Sequence, residues 1–354
     1  MSSTYYLRPI ALADSPQCEE GEALRLAGGL VYASRFAVIE RQGGGVARRT
    51  RYSLPELRAA LPGLPDAVQE QFENLQRSHA PLQCGARTIR LDQPQVMGIL
   101  NITPDSFSDG GRWIEPAAAL EHAYAMVEAG AALIDIGGES TRPGAAEVSE
   151  AEELRRVIPL VEHLSAGLAV PVSVDTSKPA VMRAAIAAGA GLINDVRALR
   201  ACGALEVVAD SQAAVCLMHM QGTPQTMQAN PSYRDVVADV ADFLAERIAA
   251  MEAAGVGRER IVIDPGFGFG KSLEHNIELL RKLDELAVPG IAMLAGMSRK
   301  SMLGLLTGRT VEGRLAAGIA AHLIAAQRGA RILRVHDVAA TKDMLSVLNA
   351  VEDY

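Results

Sequence analysis

What the chain lacks narrows its function before any motif is read. Cysteine is scarce, with four residues in 354, at positions 18, 84, 202 and 216, and neither a close pair nor a metal-ligand spacing among them. That usage argues against a disulfide framework and predicts a reducing, cytoplasmic setting in which each thiol is structural. Basic charge is not in excess: the net charge is −8 and the isoelectric point near 5.5. A protein that coats nucleic acid or membranes is therefore not expected, although a local basic pocket remains open. No run approaches the roughly 18 apolar residues that a membrane span needs. The opening stretch MSSTYYLRPIALADSPQCEEGE lacks the charged lead and apolar core of a secretory signal. Tryptophan is reduced to Trp113, to which no function attaches. What is present is an ordinary globular composition, 49% apolar and 21% charged, long enough for one large domain and a small one.

A nucleotide loop is absent too, although one stretch imitates it. In IVIDPGFGFGKS (261–272) the Gly-Lys-Ser is preceded by Pro265 where a phosphate loop needs its first glycine, and Gly266 falls one place late. The glycines at 266, 268 and 270 also fail the dinucleotide fingerprint. Lys271 and Ser272 are expected to cap or solvate the start of the next helix.

From Gln95 onward a strand–helix unit repeats. Strand-like runs are VMGIL (96–100), ALIDI (132–136), PVSVD (171–175), GLIND (191–195), AVCLMH (214–219), IVIDP (261–265), IAMLAG (291–296) and ILRVH (332–336). Helical patterns lie between them, several closed by a glycine (130, 189, 255, 329), the residue preferred just past a helix C-terminus. Eight such units predict an α/β fold, a (β/α)8 TIM barrel over residues 94–354. A doubly wound sheet is the alternative, disfavoured by the regular units and the missing fingerprint. Residues 1–93 do not join this rhythm and predict a small N-terminal α+β extension of unknown role. Within it, 30–53 reads as two strands around a Gly43–Gly45 turn, and 53–78 as helical segments broken at Pro62–Gly63 and Pro65.

In such a barrel the chemistry sits at the C-terminal ends of the strands. Those ends carry Asn101, then Glu139-Ser140-Thr141-Arg142, Asp175, Asn194-Asp195, His219, Asp264, Ser298-Arg299-Lys300-Ser301, and Arg334 with His336. Any one of them could be a cap or turn residue; eight polar ends on apolar strands point to an active site. Asp175, Asn194, Asp264 and Lys300 donate and accept in fixed directions, which suits a flat heterocycle rich in ring nitrogens. Arg142, Lys300, Arg334 and His336 supply positive charge for a phosphate or diphosphate. No His/Cys or His/carboxylate spacing indicates a protein-built zinc site. A magnesium ion carried by a diphosphate needs only one or two protein ligands, and Asn101 is a candidate. The long loop NITPDSFSDGGRW (101–113) suits a lid. His219 is expected to be a packed histidine and Cys216 a buried, inert thiol.

The segments MGILNITPDSFSDGG, IDIGGESTRPGA, VSVDTSKP, GLINDV, MHMQGTPQTMQ, DPGFGFGKS, GMSRKSMLG and RVHDV, in order over about residues 95–350, strongly resemble the dihydropteroate synthases of folate synthesis. The resemblance implies a (β/α)8 barrel that joins 6-hydroxymethyl-7,8-dihydropterin diphosphate to p-aminobenzoate. It implies that Asp175, Asn194, Asp264 and Lys300 hold the pterin, and that Asn101, Arg142, Arg334 and His336 meet the diphosphate, with Asn101 also meeting Mg2+. Phe107, Thr141, Pro143, Phe269 and Ser301 would line the p-aminobenzoate region, and Phe107 and Asp109 match an ordering loop. Asp175, Lys300 and Asp109 are then the expected catalytic residues, and a homodimer the expected assembly. The apolar helix GRLAAGIAAHLIAAQRG suits packing on the barrel or on a second subunit. Phe267 departs from the family's smaller aliphatic, and the N-terminal extension is absent from a minimal member. A pterin-binding methyltransferase on the same barrel would explain Asp175, Asn194 and Asp264, but not SRKS with RVHD. A non-catalytic pterin module is opposed by the intact ring, and a fused kinase by the size of residues 1–93.

Overall fold

The computed structural model describes residues 3–13, 21–26, 32–42, 45–77, 79–102, 116–140, 147–287 and 291–352. The chain begins with a four-stranded sheet of β1 (Thr4–Ala13), β2 (Leu24–Arg25), β3 (Tyr32–Gln42) and β4 (Gly45–Ser53). β3 lies between β1 and β4, antiparallel to both, with Val38 opposite Leu7 on one side and Thr50 on the other. The sequence pattern reveals β3 and β4 but hides β1, because Pro9 cannot donate to a ladder. The register breaks between Pro9 and Ala11, which an edge strand tolerates.

Ser53 ends the sheet and caps α1 (Leu54–Ala60): its hydroxyl accepts from the Glu56 amide while the Glu56 carboxylate accepts from the Ser53 amide. A tight turn over Leu61–Gly63 separates α1 from α2 (Asp66–Gln76), where the prolines predict the break. Alternation along the strands sends Leu7, Phe36 and Val38 toward the two helices, and Tyr6, Ala37 and Ile39 toward the barrel.

Next come the hairpin strands β5 (Leu82–Cys84) and β6 (Arg87–Ile89), then β7 (Gln95–Asn101), α3 (Pro116–Glu128), β8 (Leu133–Gly137), α4 (Glu150–Gly167), β9 (Val172–Asp175), α5 (Pro179–Ala187), β10 (Leu192–Asp195), α6 (Ala204–Ala209) and β11 (Ala214–Met218). The chain continues through α7 (Val236–Ala253), β12 (Ile261–Asp264), α8 (Leu273–Arg281), β13 (Ala292–Ala295), α9 (Ser301–Thr307), α10 (Leu315–Gln327), β14 (Ala330–Val335) and α11 (Val338–Glu352). β7 to β14 pair in parallel, and β14 returns to β7 with Arg334 opposite Met97, so the sheet closes into the expected (β/α)8 barrel.

Strand alternation sorts the barrel core into two parts. Outward residues such as Ile134, Val174, Ile193, Leu217, Ile263 and Leu333 pack beneath the helices. Inward residues such as Met97, Leu133, Leu192, Cys216, Val262 and Ile332 meet Leu82, Cys84, Ile89 and Leu91 of the β5–β6 hairpin, which plugs the N-terminal end. Among the described residues, no helix is long and apolar enough to cross a membrane.

Candidate active site

One inward position above that apolar layer, five of the strands turn polar or charged. Leu133 gives way to Asp135, Leu192 to Asn194, Val262 to Asp264 and Ile332 to Arg334, while Ser173 leads to Asp175. Arg334 stands among them. Its Nε donates to Oδ2 of Asp135 at 2.6 Å, and its Nη2 to Oδ2 of Asp175 at 3.0 Å. Asp135 also accepts from the Ser173 hydroxyl at 2.5 Å and the Asn194 amide at 3.0 Å. The structure thus brings together Asp175, Asn194 and Arg334 of the predicted set, and adds Asp135, fully buried in the middle of β8. Asp135 escapes a search of strand ends. The signal for it is an acid interrupting the apolar run ALIDI, in phase with Gly137.

Burial without full compensation perturbs these groups. Asp175 is raised to about 7, chiefly by desolvation, which outweighs the opposing charge of Arg334. Asp264 is raised by burial against the pull of Lys300 and the Gly266 amide, which donates to it at 2.7 Å. Lys300 is lowered to about 8, again by burial, with Asp264 acting the other way. Acids held high and an amine held low at one end of the barrel mark a functional site.

The turn after β12 carries Phe269 toward this group. A Cβ on Gly266 would lie 1.9 Å from the carbonyl oxygen of His219, and one on Gly270 would lie 2.5 Å from that of Gln221. Both glycines also take positive φ, so the backbone fits only without side chains. Phe267 is fully buried beneath the turn, which accommodates the departure noted in the sequence. Phe269 packs beside Met218, Met220 and Met227, with the Lys300 ammonium 4.6 Å from its ring centre. Lys300 also donates to the Phe267 carbonyl.

Ser272 caps α8 as expected, but the expectation of a capping or solvated Lys271 is overturned. Lys271 is 3% exposed and its ammonium bonds to Nδ1 of His219 at 2.9 Å, to the Gly266 carbonyl at 2.9 Å and to that of Phe269 at 3.0 Å. These acceptors, drawn from the residue after β11 and from the turn itself, hold the amine inside. Burial lowers Lys271 to about 7; burial and Lys271 together lower His219 to about 2. A neutral His219 accepts at Nδ1, and its ring packs edge-on against Phe243. His219 is a packed residue, and Cys216 is buried with its thiol pushed up.

The remaining predicted residues surround the ring. The Asn101 side-chain oxygen would lie 2.9 Å from a Cβ placed on Gly137, and the Asp175 Cβ 4.0 Å from it, so Asn101 borders Asp175. Nδ1 of His336 is 3.0 Å from the Ser298 hydroxyl. Arg299, which precedes Lys300, adopts a left-handed φ of 58° and pairs with Asp337 at 2.8 Å. Ser301 is exposed at the start of α9. Lys178 bridges Glu139 and the buried Glu153 at 2.5 Å each, a link that neither residue's place in the sequence suggests. Phe107, Asp109, Thr141, Arg142 and Pro143 lie outside the described residues.

Comparison with known proteins accords with this geometry. The pterin binding enzyme family matches residues 97–336. The dihydropteroate synthase of Escherichia coli K12 is 52% identical over 263 residues, 74% of this chain and 93% of the relative. A solved structure of Xanthomonas albilineans dihydropteroate synthase with 4-aminobenzoic acid superposes with a TM-score of 0.74 at 57% identity, covering 78% of this chain and all of that one. The Burkholderia cenocepacia dihydropteroate synthase complexed with 7,8-dihydropteroate gives 0.71 at 54% identity, covering 77% and 97%.

Proposed function

From the chain's membership of the pterin-binding enzyme family, among the dihydropteroate synthases, we propose that it condenses 6-hydroxymethyl-7,8-dihydropterin diphosphate with p-aminobenzoate, giving 7,8-dihydropteroate and diphosphate. The observation that carries the reading is the buried ring of Asp135, Asp175, Asn194, Asp264, Lys300 and Arg334 at one end of the barrel. Asp175, Asn194, Asp264 and Lys300 are suited to the pterin head, whose ring nitrogens and exocyclic groups present donors and acceptors in one plane. Asn101, Arg334, His336 and Arg142 would receive the diphosphate. Phe269 and Ser301, with Phe107, Thr141 and Pro143, would face the p-aminobenzoate.

The chemistry is a displacement at the pterin methylene. Its C–O bond breaks, the electron pair leaves with diphosphate, and the positive charge left on the methylene spreads into the ring. The arylamine nitrogen then forms the new C–N bond and loses a proton. Asp175 and Asp264 favour the cationic pterin electrostatically, while Arg334 and His336 neutralise the departing anion. A weakly basic amine needs little general-base help once the cation exists. Asp109, outside the described residues, is assigned a catalytic part from the family motif that it matches.

Mg2+ is the proposed cofactor. The neutral side-chain oxygen of Asn101 beside Gly137 suits a cation that arrives on the diphosphate, since Asp135 and Asp175 are engaged by Arg334. Among the described residues, no group of three His, Cys, Asp or Glu is placed to hold a metal. When bound, magnesium supplies charge neutralisation for the leaving group.

We also assign a homodimer and a cytoplasmic setting. Leu305, Leu306, Leu315, Ile324, Val347 and Val351 leave an apolar face open on α9, α10 and α11, which a second copy would cover. A monomer by light scattering at micromolar concentration would overturn the dimer. Cys84, Cys202 and Cys216 are unbridged, as a reducing compartment favours. For the activity itself, the purified chain is given both substrates with Mg2+. Dihydropteroate and diphosphate should form in equal amounts; no diphosphate release from the complete mixture would refute the assignment.

A further inference from the structure

The N-terminal sheet is anchored at both ends of the barrel wall, and the two anchors differ. Toward the N-terminal end of the barrel, Arg8 pairs with Glu285 at 2.8 Å, both side chains nearly sealed from solvent, on the turn that leads into β13. Toward the C-terminal end, the sheet meets the first turns of α7. Tyr6, Ala37 and Ile39 pack on Ala238, and the Tyr6 hydroxyl donates to Asp242. Arg41, 6% exposed, donates to Oδ1 of Asp239 at 3.4 and 3.5 Å.

Asp239 serves two parts of the molecule. Its other oxygen, Oδ2, accepts from the Arg234 amide at 3.1 Å, at the end of the loop that joins β11 to α7. The preceding residue, Tyr233, donates its hydroxyl to the Gly270 carbonyl at 2.6 Å, and its ring meets that of His275 edge-on. Earlier in the same loop, Gln228 donates to the Gly268 carbonyl at 2.5 Å. Gln221 bonds to both the amide and the carbonyl of Ser232, closing the loop on itself. This loop therefore grips the backbone on either side of Phe269.

We propose that the extension is a positioning element for the second-substrate side of the active site. Arg41 holds Asp239, Asp239 holds the loop at Arg234, and the loop holds the turn that presents Phe269. The inference rests on the assignment of Phe269 to p-aminobenzoate. Coupling of this kind needs contiguous groups with fixed geometry, which hydrogen bonds and a packed helix end provide. Losing Arg41 leaves a half-buried carboxylate without its cation, so Asp239 is expected to turn to water and release the loop. On the pterin side, Asp175, Asn194 and Asp264 stand at the ends of β9, β10 and β12, and only Lys300, through the Phe267 carbonyl, also leans on the turn.

The test uses the full chain and the KM of each substrate. Arg41→Met should raise the KM for p-aminobenzoate roughly three- to tenfold, the size of a coupling carried by a few contacts. The KM for the pterin diphosphate and kcat should stay within about twofold, as when only uniform binding of one substrate is lost. Arg41→Lys, which keeps the charge, should recover most of the difference. Arg8→Met removes the other anchor and should lower the melting temperature while leaving both KM values unchanged. If Arg41→Met does not fold, Asp239→Asn decides: it keeps an acceptor for the Arg234 amide but weakens the pairing with Arg41, and should shift the same KM. An unchanged p-aminobenzoate KM in a folded Arg41 or Asp239 variant, or an equal rise for both substrates, overturns the coupling. Phe269→Ala separates the two layers of inference. If that variant leaves the p-aminobenzoate KM unchanged, the subsite assignment fails, whatever Arg41 does.

Discussion

At the C-terminal end of the barrel, Asp135, Asp175, Asn194 and Arg334 are joined side chain to side chain. At the N-terminal end, the same strands present Leu133, Leu192 and Ile332 to the leucines of a hairpin plug. The step between the two is a single inward position, roughly 7 Å along a strand. The apolar layer keeps water from reaching the ring from below, and that dryness sets the shifted acids and amine of the upper layer. Stability and chemistry are thus divided along each strand, with little distance between them. Substitutions on the two sides should have nearly separable consequences.

The sharpest separation should come from Asp175→Asn, which preserves shape and removes charge. It should still bind pterin but lose about 10²–10³ in kcat, the usual loss for one electrostatic partner of the transition state. A near-wild-type kcat would remove Asp175 from the mechanism. From the other end, Leu82→Ala should cost about 2–5 kcal/mol of stability, through lost burial and the cavity it leaves. Its kcat should be unaltered, and a large fall in kcat with unchanged denaturation would break the division. A subtler probe is the pH profile of kcat/KM, which reports the free enzyme. Asp175 acts as an anion and is raised to about 7, so activity should fall as pH drops below that value. Lys300 acts as a cation and is lowered to about 8, so activity should fall again as pH climbs above it. The acid limb should vanish in Asp175→Asn; if it persists there, another group is responsible.

Much of this was legible in the chain because barrel strands advertise themselves twice, by apolar runs and by the polar residue that ends each run. Asp175 and Asp264 stand where a run meets a loop, and Asn194 and Arg334 are each followed by a single further strand residue, so the sequence locates them. Asp135 lies inside its run, and its role depends on Arg334, 199 residues away. Lys271 reads as a surface residue beside a helix start because the acceptors that bury it include His219, just past the end of β11. β1 was concealed by Pro9, and the hairpin of β5 and β6 by its brevity. The docking of the extension could not be read at all, since Arg41 and Asp239 are 198 positions apart and neither belongs to a motif. Local pattern identifies elements and their ends; pairing between distant charges needs the fold.

The lowered amine of Lys300 has a consequence for reactivity. The chain contains only Lys178, Lys271, Lys282, Lys300 and Lys342. Lys178 is held between two carboxylates, Lys271 is sealed under the turn, and Lys282 is paired with Glu278. A partly exposed amine lowered to about 8 is a nucleophile, so an amine-directed acylating reagent at about pH 8 should favour Lys300. Bound pterin would then shield it, and peptide mapping with and without pterin would report occupancy in the absence of turnover. Equal labelling of Lys300 in both samples would place the pterin elsewhere.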